Sequence, residues 1–247
     1  MRFNSFYLLL LLGVVSFFAS CKREKEAYVF SVCLIVDGTD AQINKNAVPR
    51  IHRPDIEMLV DSIFAHGYGN LYLTYVDECS ANNAVAELSW YQKRPKKIEI
   101  KAGDGSQKQE EKMEENETNL GKYRADLLAT KNVFFENVDS VLSLAYAKEV
   151  THRSQGSDVY GAVNKAISYV EADRDANVSL ILLVSDMEHN TKNRELTPIP
   201  RDTKLFVVGT SIDDNTELRP TSGFATFPQV IRYISSQEFL NTCKRRR

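Results

Sequence analysis

The chain has 247 residues, 43% hydrophobic and 26% charged, and its 31 basic and 33 acidic side chains leave a formal net charge of −2. That balance offers no nucleic-acid surface, which needs a clustered excess of Lys and Arg, and the length suits one α/β domain with an insertion. The four cysteines form no Cys-x-x-Cys spacing, so the common zinc and redox motifs are absent.

Residues 1–20 have the layout of a secretory signal peptide. Arg2 supplies the positive start, Phe6 to Phe18 the apolar run, and Ala19 and Ser20 the small residues before Cys21. The run is shorter than the ~20 apolar residues that a bilayer-spanning helix needs. Residues 21–27 are mostly charged and read as a tether, and a domain is expected over 28–242. Its first strand is the β-branched, apolar run Tyr28–Val36. Pro54 then opens a helix, where its missing N–H costs nothing. Ile56, Leu59, Val60, Ile63 and Phe64 follow at helical spacing, and Gly67 and Gly69 are expected to end it. Asn70–Val76 reads as a second strand and Ala84–Tyr91 as a third.

Residues 92–122 change character. Lys, Glu and Gln dominate, and the large apolar residues are Ile98, Ile100, Met113 and Leu120. Such a stretch buries too little to order itself alone, so it is expected to be an exposed, charged insertion with a short strand at Lys97–Lys101. Tyr123–Ala147 follows as a helix, with Leu127, Val133, Phe134, Val138, Val141, Leu142 and Ala145 available for its buried stripe. The last third alternates: helix Asp158–Ala172, strand Leu180–Val184, strand Thr203–Val208 and a closing helix Pro228–Leu240, before the basic tail at 243–247. Strands alternating with helices imply an α/β fold with a doubly wound, mostly parallel sheet and right-handed crossovers. Cys33 is expected to be a buried small hydrophobe. Cys79 and Cys243 are available to pair in an oxidising compartment.

Three short segments end apolar runs or precede a helix: Asp37-Gly38-Thr39-Asp40-Ala41, Gly156-Ser157-Asp158 and Ser185-Asp186. Ligands of open α/β sheets bind at the carboxyl ends of strands, and hard cations take oxygen ligands. Together these segments could surround one metal ion. Asp after a strand and Ser before a helix also serve as ordinary turn and N-cap residues. His52 and His189 read as surface histidines. No Gly-x-Ser-x-Gly elbow and no phosphate-binding loop with Gly-Lys-Ser/Thr occurs.

Two resemblances follow from these residues. Phe18-Ala19-Ser20-Cys21 resembles the lipobox of bacterial lipoproteins, with Phe18 in the position of the usual Leu. That resemblance implies cleavage before Cys21, acylation of its thiol (palmitate among the acyl chains) and anchoring in the inner or outer membrane of a bacterial cell envelope. The three loop segments resemble the metal-ion-dependent adhesion site of the von Willebrand factor A domain. There a strand ends on Asp-x-Ser-x-Ser, a Thr precedes a later helix, and another strand ends on Asp. Asp37, Thr39, Ser157 and Asp186 match that pattern, whereas Ala41 lacks the third hydroxyl and Met187 stands where the family often has Gly. The resemblance implies magnesium as cofactor, hydroxyls bound to it directly, carboxylates acting through water, and a protein partner whose carboxylate completes the shell. The expected protein is therefore a membrane-anchored binding module rather than an enzyme. The alternatives are a metal-dependent hydrolase of phosphoesters and a scaffold without metal. A phosphatase with Asp37 as nucleophile resembles the haloacid dehalogenase class in position only, because that class needs a second Asp where Thr39 stands.

Overall fold

The computed structural model describes residues 27–38, 48–147, 156–187, 189, 191, 195–209 and 217–244. The expected signal peptide, Cys21, Thr39 and Ala41 lie outside them. Six strands are described: β1 (Tyr28–Asp37), β2 (Gly67–Val76), β3 (Ala86–Trp90), β4 (Val178–Val184), β5 (Thr203–Val208) and β6 (Ser222–Phe224). The helices are α1 (Arg53–His66), α2 (Ser106–Ala145), α3 (Val159–Ala172), α4 (Phe227–Ile234) and α5 (Gln237–Lys244). They form one sheet in the order β3-β2-β1-β4-β5-β6. All neighbours pair in parallel except the edge strand β3, which runs antiparallel to β2. The fold is thus the doubly wound, mostly parallel α/β architecture expected from the alternation of strands and helices.

Period-2 alternation divides the apolar residues of β1 between two cores. Val32, Leu34 and Val36 face α1, α2, α4 and α5, and Cys33 and Ile35 face α3. The second core depends on one helix. Ala162, Val163, Ala166, Ile167 and Val170 recur at helical spacing and are all buried, each large one contributing about 1.5–3 kcal/mol before entropy is counted. Both ends of α3 are fastened. At its start the Asp158 carboxylate accepts from Gly161 N at 2.9 Å. Past its last turn, Asp173 accepts from Ser31 Oγ and Asn70 Nδ2, each at 2.5 Å.

Several boundaries depart from the sequence-based expectation. The second helix of the pattern, α2, begins at Ser106 rather than Tyr123, so much of the charged insertion is helical. Its buried side chains are Phe134, Phe135, Val138, Val141 and Ala145, all near its end, while Val133 is 61% exposed. No strand forms at Lys97–Lys101. The Asn116 side-chain amide takes up the Ile98 backbone instead, accepting its N–H at 2.6 Å and donating to its carbonyl at 3.0 Å. Gly67 ends α1, donating its N–H to Ile63 O, but Gly69 already belongs to β2. The expected closing helix is two helices. Ser235 Oγ turns back onto Ile231 O at 2.8 Å, and Ser236 Oγ accepts from Phe239 N at 3.1 Å, ending α4 and starting α5. Strand β6 was not apparent in the sequence.

Cys79 and Cys243 do not pair. Cys79 follows the carboxyl end of β2, whereas Cys243 lines a small cavity with Val178 and Lys204 at the amino ends of β4 and β5. Strands of this length separate the two ends by about 20 Å, and a disulfide needs Cα atoms within ~7 Å. No helix among the described residues is long and apolar enough to cross a membrane.

Candidate functional site

Strands β1 and β4 are sheet neighbours, and the chain winds away from them in opposite directions, from β1 to β2 and β3 on one side and from β4 to β5 and β6 on the other. Their carboxyl ends therefore form the topological switch point, where ligands of this architecture bind. Val36 pairs with Val184, so the next residues, Asp37 and Ser185, emerge side by side. Ser185 Oγ donates to Asp37 Oδ2 at 2.7 Å and accepts from Met187 N at 2.9 Å. Asp37 is 1% exposed and Ser185 fully buried. A carboxylate this deep requires hydrogen-bond donors, and Ser185 supplies one of them from the neighbouring strand.

Asp186 follows at the rim and is half-buried. The chain then turns through Met187, whose φ of 64° lies in the left-handed region that glycine favours. Met187 thus holds a backbone conformation that glycine would adopt more readily. The strain of about 1–2 kcal/mol for a non-glycine residue is opposed by burial of its side chain against the α3 core and by the bond from its N–H to Ser185.

The third wall is the start of α3. Asp158 N donates to Asp77 O at 2.8 Å, and the Asp158 carboxylate accepts from Ser80 N at 3.1 Å as well as from Gly161 N. Asp158 therefore clamps the loop after β2 to the helix and is engaged structurally. Ser157 lies immediately before it and is buried. The loop after β4 returns over this helix start, where the His189 ring stacks on Tyr160 with centroids 3.9 Å apart and planes 5° apart. His189 is thus a packed side chain, half-buried rather than an exposed surface histidine. His52 is the N-cap of α1, its N–H donating to Asp55 Oδ2 at 2.8 Å.

Gly38, directly after β1, is pressed against the end of α2. A Cβ built on Gly38 would lie 1.7 Å from the Ala145 carbonyl oxygen, so only glycine fits that approach. Next in α2's path is Tyr146. Its hydroxyl accepts from Ile51 N at 3.1 Å and its ring carries the Arg50 guanidinium at 4.4 Å. Burial pushes the Tyr146 phenol up to about 12, against the opposing effects of its bond from Ile51 and of Arg50, with the negative charge of Asp37 adding to the rise. It therefore stays neutral at physiological pH.

Of the four expected metal-site residues, Asp37, Ser157 and Asp186 are at this end of the sheet, and Thr39 lies outside the described residues. Among the described residues no three His, Cys, Asp or Glu side chains form a metal-binding group. The expected set has two carboxylates, with hydroxyls as its other donors. That donor chemistry suits a hard cation that keeps several waters and is unsuited to zinc, which prefers His and Cys. Ser185 was singled out with Asp186 as a candidate segment but not among the four expected metal-site residues, and Tyr146 was missed. Its position directly after an apolar strand, like that of Asp37, is the signal that marks Ser185; nothing in the sequence marks Tyr146. No protein-family model matches the chain, and no curated protein matches it by sequence.

Proposed function

We propose that this protein is a lipid-anchored A-type domain of a bacterial cell envelope that binds a protein partner through a magnesium ion. The observation that carries this reading is the meeting of Asp37 with the Ser185-Asp186 corner at the β1–β4 switch point, beside Ser157 at the start of α3. The strand order with its antiparallel edge β3 and the left-handed Met187 support it further. Asp37, Thr39, Ser157 and Asp186 are the residues that would hold the ion. When bound, magnesium supplies a coordination position for a carboxylate of the partner. In the protein itself, Ser185 orients the Asp37 carboxylate, Asp158 fixes the loop bearing Ser157, and Gly38 allows the end of β1 to lie against α2. Cys21 supplies the lipid anchor.

The test is affinity capture from envelope extracts in magnesium and again in EDTA. The reading predicts a captured protein that EDTA releases and that Asp186→Ala fails to retain. Partner binding unchanged by EDTA would contradict the metal bridge and favour a scaffold. Metal-dependent turnover of phosphoesters would favour a hydrolase.

A further inference from the structure

Helix α2 is 40 residues long, about 60 Å at 1.5 Å per residue, and only its last dozen residues bury side chains in the core. Its earlier part borders a trough on the β3 side of the molecule. One section, of about 460 Å³, lies between α2 and the irregular segment 94–100. A second, of about 330 Å³, continues along α2 beside the end of α1. Arg94 and Leu120 line both sections, so the two adjoin at these side chains. From Met113 to Lys131 the trough follows about 27 Å of helix, the length of roughly eight residues of extended peptide.

The trough has an apolar floor and a basic rim. Ile100, Met113, Leu120 and Leu127 offer apolar surface, and Ile100 and Met113 are 39% and 49% exposed. Arg94, Lys96, Lys97 and Arg124 stand around them. The two lining acids do not balance this charge, because Asp61 is paired with Lys131 at 2.5 Å, which leaves Glu117 against Arg94, Lys97 and Arg124. A long concave channel fits a peptide better than a flat membrane surface. Cations around apolar contact area select carboxylates that alternate with apolar side chains.

We infer that this trough is a second binding surface, independent of metal, for an extended acidic segment of a protein partner whose apolar side chains seat between Ile100 and Leu127. It does not depend on the magnesium reading.

The sole tryptophan of the chain, Trp90, provides a reporter. It packs edge-to-face on Tyr123, a lining residue, with ring centroids 5.5 Å apart. The full-length chain would be titrated with a labelled eight-residue peptide of alternating Glu and Leu, and with its Lys-for-Glu counterpart. Expected are saturable anisotropy and a shift in Trp90 emission with the acidic peptide, no binding of the basic one, and no effect of EDTA. Affinity should fall at least tenfold in high salt, since surface charge is screened. It should fall at least tenfold in the double variant Arg94→Glu/Lys97→Glu and in Ile100→Asp, whose melting temperatures should match the parent because all three positions are exposed. No binding of the acidic peptide, or equal binding by these variants, would overturn the inference. So would trough-dependent binding of phosphatidylglycerol vesicles without peptide binding, or a dimer abolished by Ile100→Asp, which would assign the surface to lipid or to a second copy.

Discussion

Asp37 is buried among apolar strands, and the hydroxyl of Ser185 is one of the groups that make that tolerable. Replacing Ser185 with Ala removes a donor to a charged acceptor and an acceptor for Met187 N. A cost of about 2 kcal/mol is expected for a buried charge-assisted bond, read as a lower urea midpoint with unchanged slope; a shift near zero would mean that Asp37 is held by other groups. The cysteines allow a second check. Burial pushes the Cys33 thiol up to about 12, with Lys165 opposing the rise. A group raised in this way stays protonated below that value, so Cys33 should resist iodoacetamide from pH 7 to 9 and react only on unfolding. The exposed Cys79 should label first. Early labelling of Cys33 in the native protein would show that the α3 core opens readily. At this scale Asp37 and Asp186 were legible because each closes an apolar run. The Ser185–Asp37 bond was not, because it depends on the register between two strands about 150 residues apart. The same holds for Asp158, whose partners Ser80 and Asp77 come from a distant loop.

The elements with strong periodicity were legible nearly to the residue. Thr203–Val208 coincides with β5, and the expected helix Asp158–Ala172 differs from α3 only in that Asp158 is its cap. Elements set by tertiary packing were harder to see. The three residues of β6 form a strand because β5 offers an open edge, and the side-chain amide of Asn116 holds Ile98 where a strand was expected. For α2, polar composition concealed a helix, since Lys, Glu and Gln favour helix even without a buried face. The helix should therefore behave as two parts. Phe134→Ala should cost about 3–5 kcal/mol as a buried aromatic truncation, while the exposed Val133→Ala should cost almost nothing. Hydrogen exchange should be at least tenfold faster over 107–120 than over 134–145, because only the latter half is tied to the core. Uniform protection along α2 would show that the first half is also covered.

For the whole molecule, the alternation of strands and helices fixed a doubly wound sheet, and the ends of β1 and β4 indicated where a ligand would bind. The proposed lipid anchor falls among the residues before β1. Cys21→Ser should release the protein from the membrane fraction, since stable anchoring requires acyl chains contributing ~0.8 kcal/mol per buried CH₂. Complete membrane retention of this variant would contradict the lipoprotein reading. The central claim is that the switch point holds a magnesium ion, and calorimetric titration of magnesium tests it most directly. The parent should give a saturable heat, Asp186→Ala should give none while remaining folded, and Ala41→Ser should bind more tightly because it restores the missing hydroxyl. Absence of binding heat in both the parent and Ala41→Ser would contradict the account and leave the fold with no metal function at this site.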